Sequence, residues 1–239
     1  MDIDPRRQAK THLDALKASG VEFVAPKSLP PIIVTLDLFA DATPATDDRR
    51  TALELLANDV SGCSRCAELY ATRTQTVFGV GPLDPEVCFV GEAPGGEEDR
   101  KGEPFIGPAG QLLNKIIVAS GFRREDVYIC NTIKCRPPNN RNPAPEEKNN
   151  CRGYFDTQLD LVKPKYIVCL GAVASQSVLN TPISITKLRG RFHAFRGTPV
   201  MCTFHPAYLL RFPDAKKDCW EDMKMLLAKM GRAVPGANT

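Results

Sequence analysis

The sequence predicts an α/β fold in which helices flank a central four-stranded parallel sheet, giving three α/β/α layers. Two observations carry this prediction. Four short apolar runs recur along the chain, and helical patterns separate them. Short continuous apolar runs are typical of parallel strands that are buried on both faces. Alternation of such strands with helices indicates an α/β protein with a parallel sheet.

Each element has its own signal. The predicted strands are Val87–Val90, Val127–Asn131, Tyr166–Leu170 and Val200–Phe204. The predicted helices run from Asp47 or Asp48 to about Asp59 and then over Gln111–Ala119, Pro145–Val162, Ala172–Leu179 and Asp214–Met230. Asp47 and Asp48 are residues that cap a helix well. The stretch NPAPEE puts a proline and two acids in a first helical turn, where both are favoured.

Composition divides the chain into three parts. We predict an N-terminal extension at residues 1–47, a main domain at 48–232 and a C-terminal tail at 233–239. The extension carries a short helical pattern over Pro5–Ala18. Two Pro- or Ala-rich stretches, VAPKSLPP and DATPATDD, then flank the run IIVTLDLFA. We interpret the extension as partly disordered or as a docking segment, with a stray strand as the alternative for IIVTLDLFA.

Charge and hydropathy narrow the class of protein. Apolar residues make up 43% and charged residues 25% of the chain, as in ordinary globular proteins. The net charge of +3 permits a nucleic-acid partner without indicating one. No apolar run reaches the roughly 18 residues of a membrane span, and the start MDIDPRRQAK lacks the apolar core of a secretory signal. We therefore expect a soluble cytoplasmic monomer, in a compartment where disulfides are rare.

The nine cysteines fall into two groups, with Cys219 left unassigned in a helical pattern. One group lies in apolar runs and is interpreted as small buried hydrophobes: Cys88, Cys130, Cys169 and Cys202. The other group has polar neighbours and begins with a C-x-x-C pair: Cys63, Cys66, Cys135 and Cys151. Four thiolates at this spacing suit zinc and a 4Fe–4S cluster equally.

The stretch GEAPGGEEDRKGEPFIGPAG, from Gly91 to Gly110, leaves the first predicted strand. Loops that leave the carboxyl ends of parallel strands form the functional edge of such sheets. A dinucleotide fingerprint fails here, because Glu92 and Ala93 stand where the pattern needs glycine and acids repel a pyrophosphate. Phosphoryl transfer is also disfavoured, because no glycine-rich loop ends in Lys-Ser or Lys-Thr. Taken alone, the loop reads equally well as a solvated acidic turn.

Two further strand ends carry polar side chains. Asn131 begins NTIKCRPPNNRNPAPEE, and His205 begins HPAYLLR. Singly, a turn-forming asparagine and a structural histidine are the simpler interpretations. Together the three loops offer carboxylates, an amide, an imidazole and the aromatic ring of Phe105. Such a set suits recognition of a planar polar base.

These three motifs match a known family. The patterns GEAPG-x-EED-x-x-G-x-PF-x-G-x-AG, N-x-x-K-C-RPP-x-NR-x-P and HPA-x-LLR resemble those of the family 4 uracil-DNA glycosylases. These are iron–sulfur enzymes of the uracil-DNA glycosylase superfamily. The resemblance covers about Leu53 to Met230. It implies the fold of that superfamily and excision of uracil from DNA by hydrolysis of the N-glycosidic bond, as the first step of base excision repair.

The resemblance also implies roles for single residues. Phe105 stacks on the flipped uracil, Asn131 reads its ring N–H and carbonyl, and His205 faces a carbonyl as the base leaves. The first motif lines the base pocket with Glu92 and Ala93. Glu98 is the carboxylate placed near the sugar, and we prefer it over Glu92 for positioning water. Residues that enter the duplex are Tyr208, Leu209, Leu210 and Arg211.

The resemblance favours a 4Fe–4S cluster over zinc at Cys63, Cys66, Cys135 and Cys151. Such a cluster is interpreted as structural and pins the loop between Cys135 and Cys151, whose Arg136 and Arg141 are candidates for phosphate contacts. The expected partner is uracil-containing DNA, single- or double-stranded. Two alternatives stay open: a catalytically weak nucleic-acid-binding module on the same scaffold, and a zinc or redox-sensing regulator.

Overall fold

The computed structural model describes residues 46–236 together with Asp14 and Ala18. One five-stranded sheet, with strand order β2-β1-β3-β5-β4, forms the centre of this part. Its strands are β1 (Val87–Gly91), β2 (Tyr128–Asn131), β3 (Tyr166–Leu170), β4 (Phe192–Phe195) and β5 (Thr198–Thr203). Strands β2, β1, β3 and β5 run parallel, which confirms the four predicted strands and the α/β class.

Strand β4 was not predicted. It pairs antiparallel with β5 at the edge of the sheet, and a two-residue turn at Arg196 and Gly197 joins the two strands. Both turn residues have positive φ, 48° and 84°, as in the hairpin turns whose twist matches the flanking strands. The strand escaped prediction because it is short, lies at the edge and is only partly buried, so its sequence FHAF lacks a continuous apolar signal.

The helices follow the predicted order. Their bounds are α1 (Thr46–Ser61), α2 (Ala67–Thr72), α3 (Gly96–Lys101), α4 (Pro108–Ala119), α5 (Pro145–Val162), α6 (Gly171–Leu179), α7 (Ile185–Leu188), α8 (Pro206–Arg211) and α9 (Lys216–Lys229). Short 3-10 turns occupy Arg124–Asp126, Pro138–Asn140 and Pro213–Ala215. The predicted helix from Asp214 thus starts as a 3-10 turn and becomes α-helical at Lys216. The short helices α2, α3, α7 and α8 were not predicted.

Alternate residues of each parallel strand face opposite layers of the core. In β1, Cys88 and Val90 pack with α5 and α6, whereas Val87 and Phe89 pack with α4 and α9. This two-sided burial is the reason that the strands read as continuous apolar runs. The four cysteines assigned to apolar runs, Cys88, Cys130, Cys169 and Cys202, are all buried, which confirms their interpretation as core residues.

Most of the predicted N-terminal extension lies outside the described residues. This includes the run IIVTLDLFA and, apart from the helical Asp14 and Ala18, the helix expected over Pro5–Ala18. Residues 46–236 fall in one compact unit, and the predicted domain limits at 47/48 and 232/233 stay a prediction. Across the described part of the chain, no helix combines the length and apolar character that a bilayer crossing requires.

Candidate active site

A cavity of 470 Å³ lies where the loops that follow β1, β2 and β5 meet. The carboxyl ends of parallel strands share one edge of a sheet, so these loops converge. The walls include all six residues that the sequence analysis assigned to base binding and catalysis: Glu92, Ala93, Glu98, Phe105, Asn131 and His205. The structure therefore brings together three motifs that are far apart in the sequence.

Asn131 ends β2 and lies beside Gly91, the last residue of β1. Its side chain is 2% exposed, and its Oδ1 atom is buried without a hydrogen-bond partner among the described residues. Gly91 makes room for this amide, since an added Cβ would overlap Oδ1 and would lie 2.5 Å from the Phe105 ring. A buried acceptor without a donor is costly, so this atom is suited to a ligand that brings an N–H group.

Phe105 presents its ring to the cavity from a left-handed backbone. Its φ is 53°, an unfavourable region for a bulky residue. The local fold imposes this conformation, because Gly110 packs so closely that an added Cβ would overlap the Phe105 carbonyl. The ring centroid lies 5.6 Å from that of His205. Backbone strain of this kind is common where a side chain must be aimed at a ligand.

His205 follows β5 and caps the N-terminus of α8. Its Nδ1 atom accepts a hydrogen bond from the Ala207 amide at 3.1 Å. An accepting Nδ1 carries no proton, so in the neutral ring the proton is on Nε2. Burial lowers the pKa of His205 to about 4, against the opposing charge of Glu98 and with a smaller contribution from Arg211. At neutral pH this histidine is therefore an uncharged donor.

Glu98 holds the first loop together. Its Oε1 accepts hydrogen bonds from the backbone amides of Ile106 and Gly107, both at 3.0 Å, and its Oε2 accepts one from Gly95 at 3.1 Å. A carboxylate with three backbone partners has little capacity left for water. These contacts favour a role in which Glu98 holds the loop in place. The sequence had instead led us to expect that Glu98 positions the water.

Glu92 has different surroundings. Its side chain lines the cavity, and within residues 46–236 no hydrogen bond to its carboxylate is present. Burial raises the pKa of Glu92, partly opposed by the charge of Lys148. Of the two carboxylates, Glu92 is thus the one with oxygen atoms free for a ligand or for water.

The residues assigned to DNA contact do not all face solvent. Leu209 is 1% exposed and packs with Phe204 and Cys219, so it faces the core here, and its assignment to the duplex-entering loop stays a prediction. Successive side chains of the helix α8 point in different directions. Leu209 therefore faces the core, whereas Leu210 is 46% exposed. Arg211 is exposed and lines the cavity.

The two arginines of the second loop differ from each other. Arg141 forms a two-point ion pair with Glu147 and also contacts Glu68, so its guanidinium is already engaged within the protein. Its expected phosphate contact is therefore not supported by its geometry. Arg136 donates from Nε to Asn140, and the rest of its guanidinium group lies beside Gly96, next to the first loop.

The four cysteines with polar neighbours come together, and none of them lines the cavity. Cys135 and Cys151 pack in one buried cluster against which Cys66 lies, and Cys63 is close enough to affect the pKa of both buried thiols. Two side chains donate to the sulfur atoms. Arg73 reaches Cys135 Sγ at 2.9 Å, and Asn150 reaches Cys66 Sγ at 3.5 Å.

This donor set has the chemistry of an iron–sulfur centre. Four thiols are present, and N–H donors to sulfur are among the features that tune such clusters. Burial raises the pKa of the Cys135 thiol to about 11, an effect that Arg73 opposes. In the described part of the chain, no three cysteine, histidine or acidic side chains stand close enough to hold a single metal ion.

Comparison with known proteins identifies the family. A family model described as the uracil DNA glycosylase superfamily matches residues 78–224, which include all three loops of the cavity. The chain belongs to the uracil DNA glycosylase superfamily. The match covers every strand of the sheet and every residue assigned to base binding.

Relatives within the superfamily are similar over most of the chain. The type-4 uracil-DNA glycosylase of Thermotoga maritima is 48% identical over 165 residues, which span 68% of this chain and 85% of the relative. That of Archaeoglobus fulgidus is 40% identical over 192 residues, 77% of this chain and 96% of the relative. A type-5 uracil-DNA glycosylase of Pyrobaculum aerophilum is 30% identical over 184 residues, 64% of this chain and 81% of the relative. The resemblance to family 4 is thereby confirmed.

Sequence reasoning missed several residues around the superfamily motifs. Lys134 and Gln158 are buried and hydrogen-bonded to each other, and Arg73 binds a cysteine sulfur. Lys134 had a signal, because it stands within the motif N-x-x-K-C between the apolar Ile133 and Cys135. Gln158 and Arg73 had none, since a glutamine in a helix and an arginine in a loop are usually solvent-exposed.

Proposed function

We propose that this chain excises uracil from DNA by hydrolysing the N-glycosidic bond, leaving an abasic site as the first step of base excision repair. One observation carries the proposal: a buried, unpaired amide oxygen of Asn131 lies beside the strained Phe105 ring in a cavity that His205 also lines. An acceptor, a stacking surface and a donor are the groups that a uracil ring requires. The enzymatic class agrees with the type-4 relatives.

Recognition follows from hydrogen-bond polarity. A base inside a duplex cannot reach these groups, so the nucleotide must first rotate out of the stack. Uracil then offers its N3–H to Asn131 Oδ1 and its O4 carbonyl to the amide nitrogen. Cytosine presents the opposite pattern, an N3 acceptor beside an amino donor. Two mismatched polar pairs in a buried site give strong discrimination.

The chemical step breaks the bond between C1′ of the sugar and N1 of uracil. The bonding electrons leave with uracil, whose O2 gains negative charge, and the sugar gains oxocarbenium character. His205 donates from Nε2 to O2 and keeps its proton, because its Nδ1 is held as an acceptor by Ala207. A donor fixed at a developing oxyanion lowers barriers by about 3 kcal/mol in comparable sites. Water then adds its oxygen to C1′, and the proton that it loses passes through solvent to the departing uracil anion, which leaves as neutral uracil.

The two carboxylates divide the remaining work. We assign the orientation of the water to Glu92, which has free oxygen atoms in the cavity. Glu98 keeps the first loop in place through its three backbone amides, and its negative charge also favours the cationic sugar. This division reverses the preference drawn from the sequence, because the contacts of Glu98 are visible only in the folded chain.

We further propose that Cys63, Cys66, Cys135 and Cys151 hold a 4Fe–4S cluster. The four-thiol donor set and its two N–H donors fit such a group. When bound, the cluster supplies a structural cross-link between the segment at Cys63–Cys66 and the segment at Cys135–Cys151. Glycosidic hydrolysis transfers no electrons, so the chemistry stays with the residues of the cavity.

The rim of the cavity provides the DNA surface of this proposal. Leu210 and Phe212 are exposed to 46% and 53%, and Arg211 lies between them. The ring of Tyr208 is tilted against that of Phe212, with ring centroids 4.7 Å apart, and Tyr208 lines the cavity. Exposed apolar side chains at this rim can occupy the space that a flipped nucleotide leaves, and Arg211 can contact phosphate. We expect a monomer that acts on single- or double-stranded DNA.

One assay tests the function. The purified chain is incubated in excess with oligonucleotides that carry one uracil, in single-stranded and in duplex form, with matched thymine and cytosine controls. We expect free uracil and an alkali-labile abasic site from the uracil strands only. Binding to these strands without either product would replace the hydrolase by a nucleic-acid-binding module.

A further inference from the structure

Lys134 is a buried cation behind the wall of the cavity, and its side chain is 1% exposed. Its Nζ donates to the backbone carbonyls of Asn131 at 2.8 Å and Phe78 at 3.1 Å, and to Oε1 of Gln158. An ammonium group has three N–H donors, and all three are used here. This satisfies a group whose burial is otherwise expensive.

The backbone of Lys134 makes equally specific contacts. Its backbone lies close enough to the Cys151 thiol to oppose the rise in pKa that burial causes there, and its carbonyl accepts a hydrogen bond from the Val77 amide at 2.7 Å. Cys135 is the next residue in the chain. One residue thus connects two members of the cysteine group to Asn131, the residue whose amide oxygen is unpaired in the cavity.

The acceptors around the ammonium are themselves held in place. Gln158 donates from Nε2 to the Phe78 carbonyl and to the Tyr128 hydroxyl, both at 2.9 Å. The rings of Phe78 and Phe155 lie 5.6 and 5.7 Å from Nζ. Within residues 46–236 no carboxylate pairs with Lys134, so hydrogen bonds and aromatic faces alone fix its position.

We propose that Lys134 is a positioning residue for base recognition. Its ammonium fixes the peptide of Asn131 so that the side-chain amide faces the base, and Cys135 follows it directly in the chain. The carbonyl that accepts from Lys134 Nζ and the side chain of Asn131 are attached to the same Cα. A rotation of the Asn131 peptide therefore moves the side-chain amide of Asn131. This proposal depends on the proposed uracil excision, and it gives a structural reason for the selection of uracil over cytosine.

The first test compares Lys134→Met with the unmodified holoprotein. Methionine fills similar space without a donor. We expect the affinity for free uracil to fall about tenfold, the size of one misplaced hydrogen bond, and the ratio of uracil to cytosine excision to fall with it. Iron content and visible absorbance of the cluster should remain, and the Asn131 side-chain amide signal should shift in the NMR spectrum.

Arg49→Met is the matched control. Arg49 is also a buried cation, 6% exposed, and it pairs with Asp84 and with the Leu161 carbonyl. Its loss should lower the free energy of unfolding and leave uracil affinity unchanged. Normal uracil affinity and selectivity in Lys134→Met would overturn the proposal and leave Lys134 a structural residue.

Gln158→Met keeps the test decisive should Lys134→Met not fold. This variant removes one acceptor of the ammonium and retains its charge and all cysteines. We expect a loss of uracil affinity in the same direction and of smaller size, and unaltered binding would count against the proposal. Failure of the unmodified chain to release uracil would instead overturn the proposed function, so the two outcomes are distinguishable.

Discussion

His205 Nδ1 accepts a hydrogen bond from the backbone amide of Ala207, two residues further along the chain. This contact settles which ring nitrogen carries the proton. The sequence left open whether the histidine acts in its neutral or its charged form. The structure makes it a neutral donor, because burial disfavours the charged ring and Nδ1 has no place for a second proton.

The protonation of His205 is the first prediction. We expect its ring to titrate near pH 4, far below the ordinary value of 6.5, with the proton of the neutral form on Nε2. Nitrogen-15 NMR of histidine-labelled protein measures both properties, and the signal is assigned by its absence in His205→Asn. A titration near pH 6.5, or a proton on Nδ1, would contradict the neutral-donor mechanism.

The same pKa predicts a pH dependence of stability. The folded pKa lies below that of the unfolded chain, so the unfolded state binds more protons between about pH 6.5 and pH 4. The contribution of His205 to the free energy of unfolding should be complete above pH 6.5 and decline as pH falls through this window. Urea titrations at several pH values should give a shallower slope for His205→Asn than for the unmodified chain.

Asn131→Asp tests base reading. A carboxylate accepts from the cytosine amino group but repels the uracil carbonyl, so uracil excision should fall by roughly 100-fold and weak cytosine excision should appear. Single-turnover cleavage of matched oligonucleotides measures both rates. Near-normal uracil cleavage by this variant would show that Asn131 does not read the base.

Gly91→Ala tests the space beside the side-chain amide of Asn131. A methyl group at Gly91 would overlap Asn131 Oδ1 and press on Phe105, so we expect a loss of excision on the order of 100-fold. Gly153→Ala in α5 is the control, because an added Cβ there meets nothing within 4 Å. The control should keep full activity and gain roughly 0.5–1 kcal/mol of stability from the helix propensity of alanine. Full activity in Gly91→Ala would show that the space between Gly91 and the Asn131 amide is not needed for excision.

Cys135→Ala tests the metal centre. Loss of one thiol should remove iron and lower the melting temperature together, because the proposed cluster joins two distant segments. Cys219→Ala replaces another buried cysteine, which packs with Phe204 and Leu209, and should retain iron. Elemental analysis and thermal unfolding provide the comparison. Full iron content and an unchanged melting temperature in Cys135→Ala would contradict the assignment of Cys135 as a ligand of the proposed cluster.

Arg211→Gln and Arg141→Gln separate DNA contact from internal pairing. Arg211 is exposed at the cavity, so its loss should reduce the slope of log affinity against log salt by about 0.9 on duplex DNA. Arg141 is paired with Glu147 and Glu68, so its loss should lower stability and leave the slope unchanged. Fluorescence titrations with a non-cleavable uracil analogue at several salt concentrations measure the slopes. The reverse result would reassign the two arginines.

Local sequence patterns by themselves determined the main strands of the sheet and the position of the candidate site. Apolar runs predicted four strands because both faces of a parallel sheet are buried, and polar residues at their ends predicted where the site lies. Three motifs predicted that Phe105, Asn131 and His205 belong to one site, and neighbouring polarity separated the four clustered cysteines from the core cysteines. These properties are local in the chain, so they can be read without the fold.

Other properties depend on neighbours that are distant in the chain, and only the tertiary structure decided them. Leu209 and Leu210 are equivalent in sequence, yet one faces the core and the other solvent. Glu98 is occupied by the amides of its own loop, whereas Glu92 is free, and Lys134 lies buried between Cys151 and Asn131. The charge state of His205 was undetermined for the same reason, because desolvation and hydrogen-bond geometry arise only when β5 places the ring in the cavity.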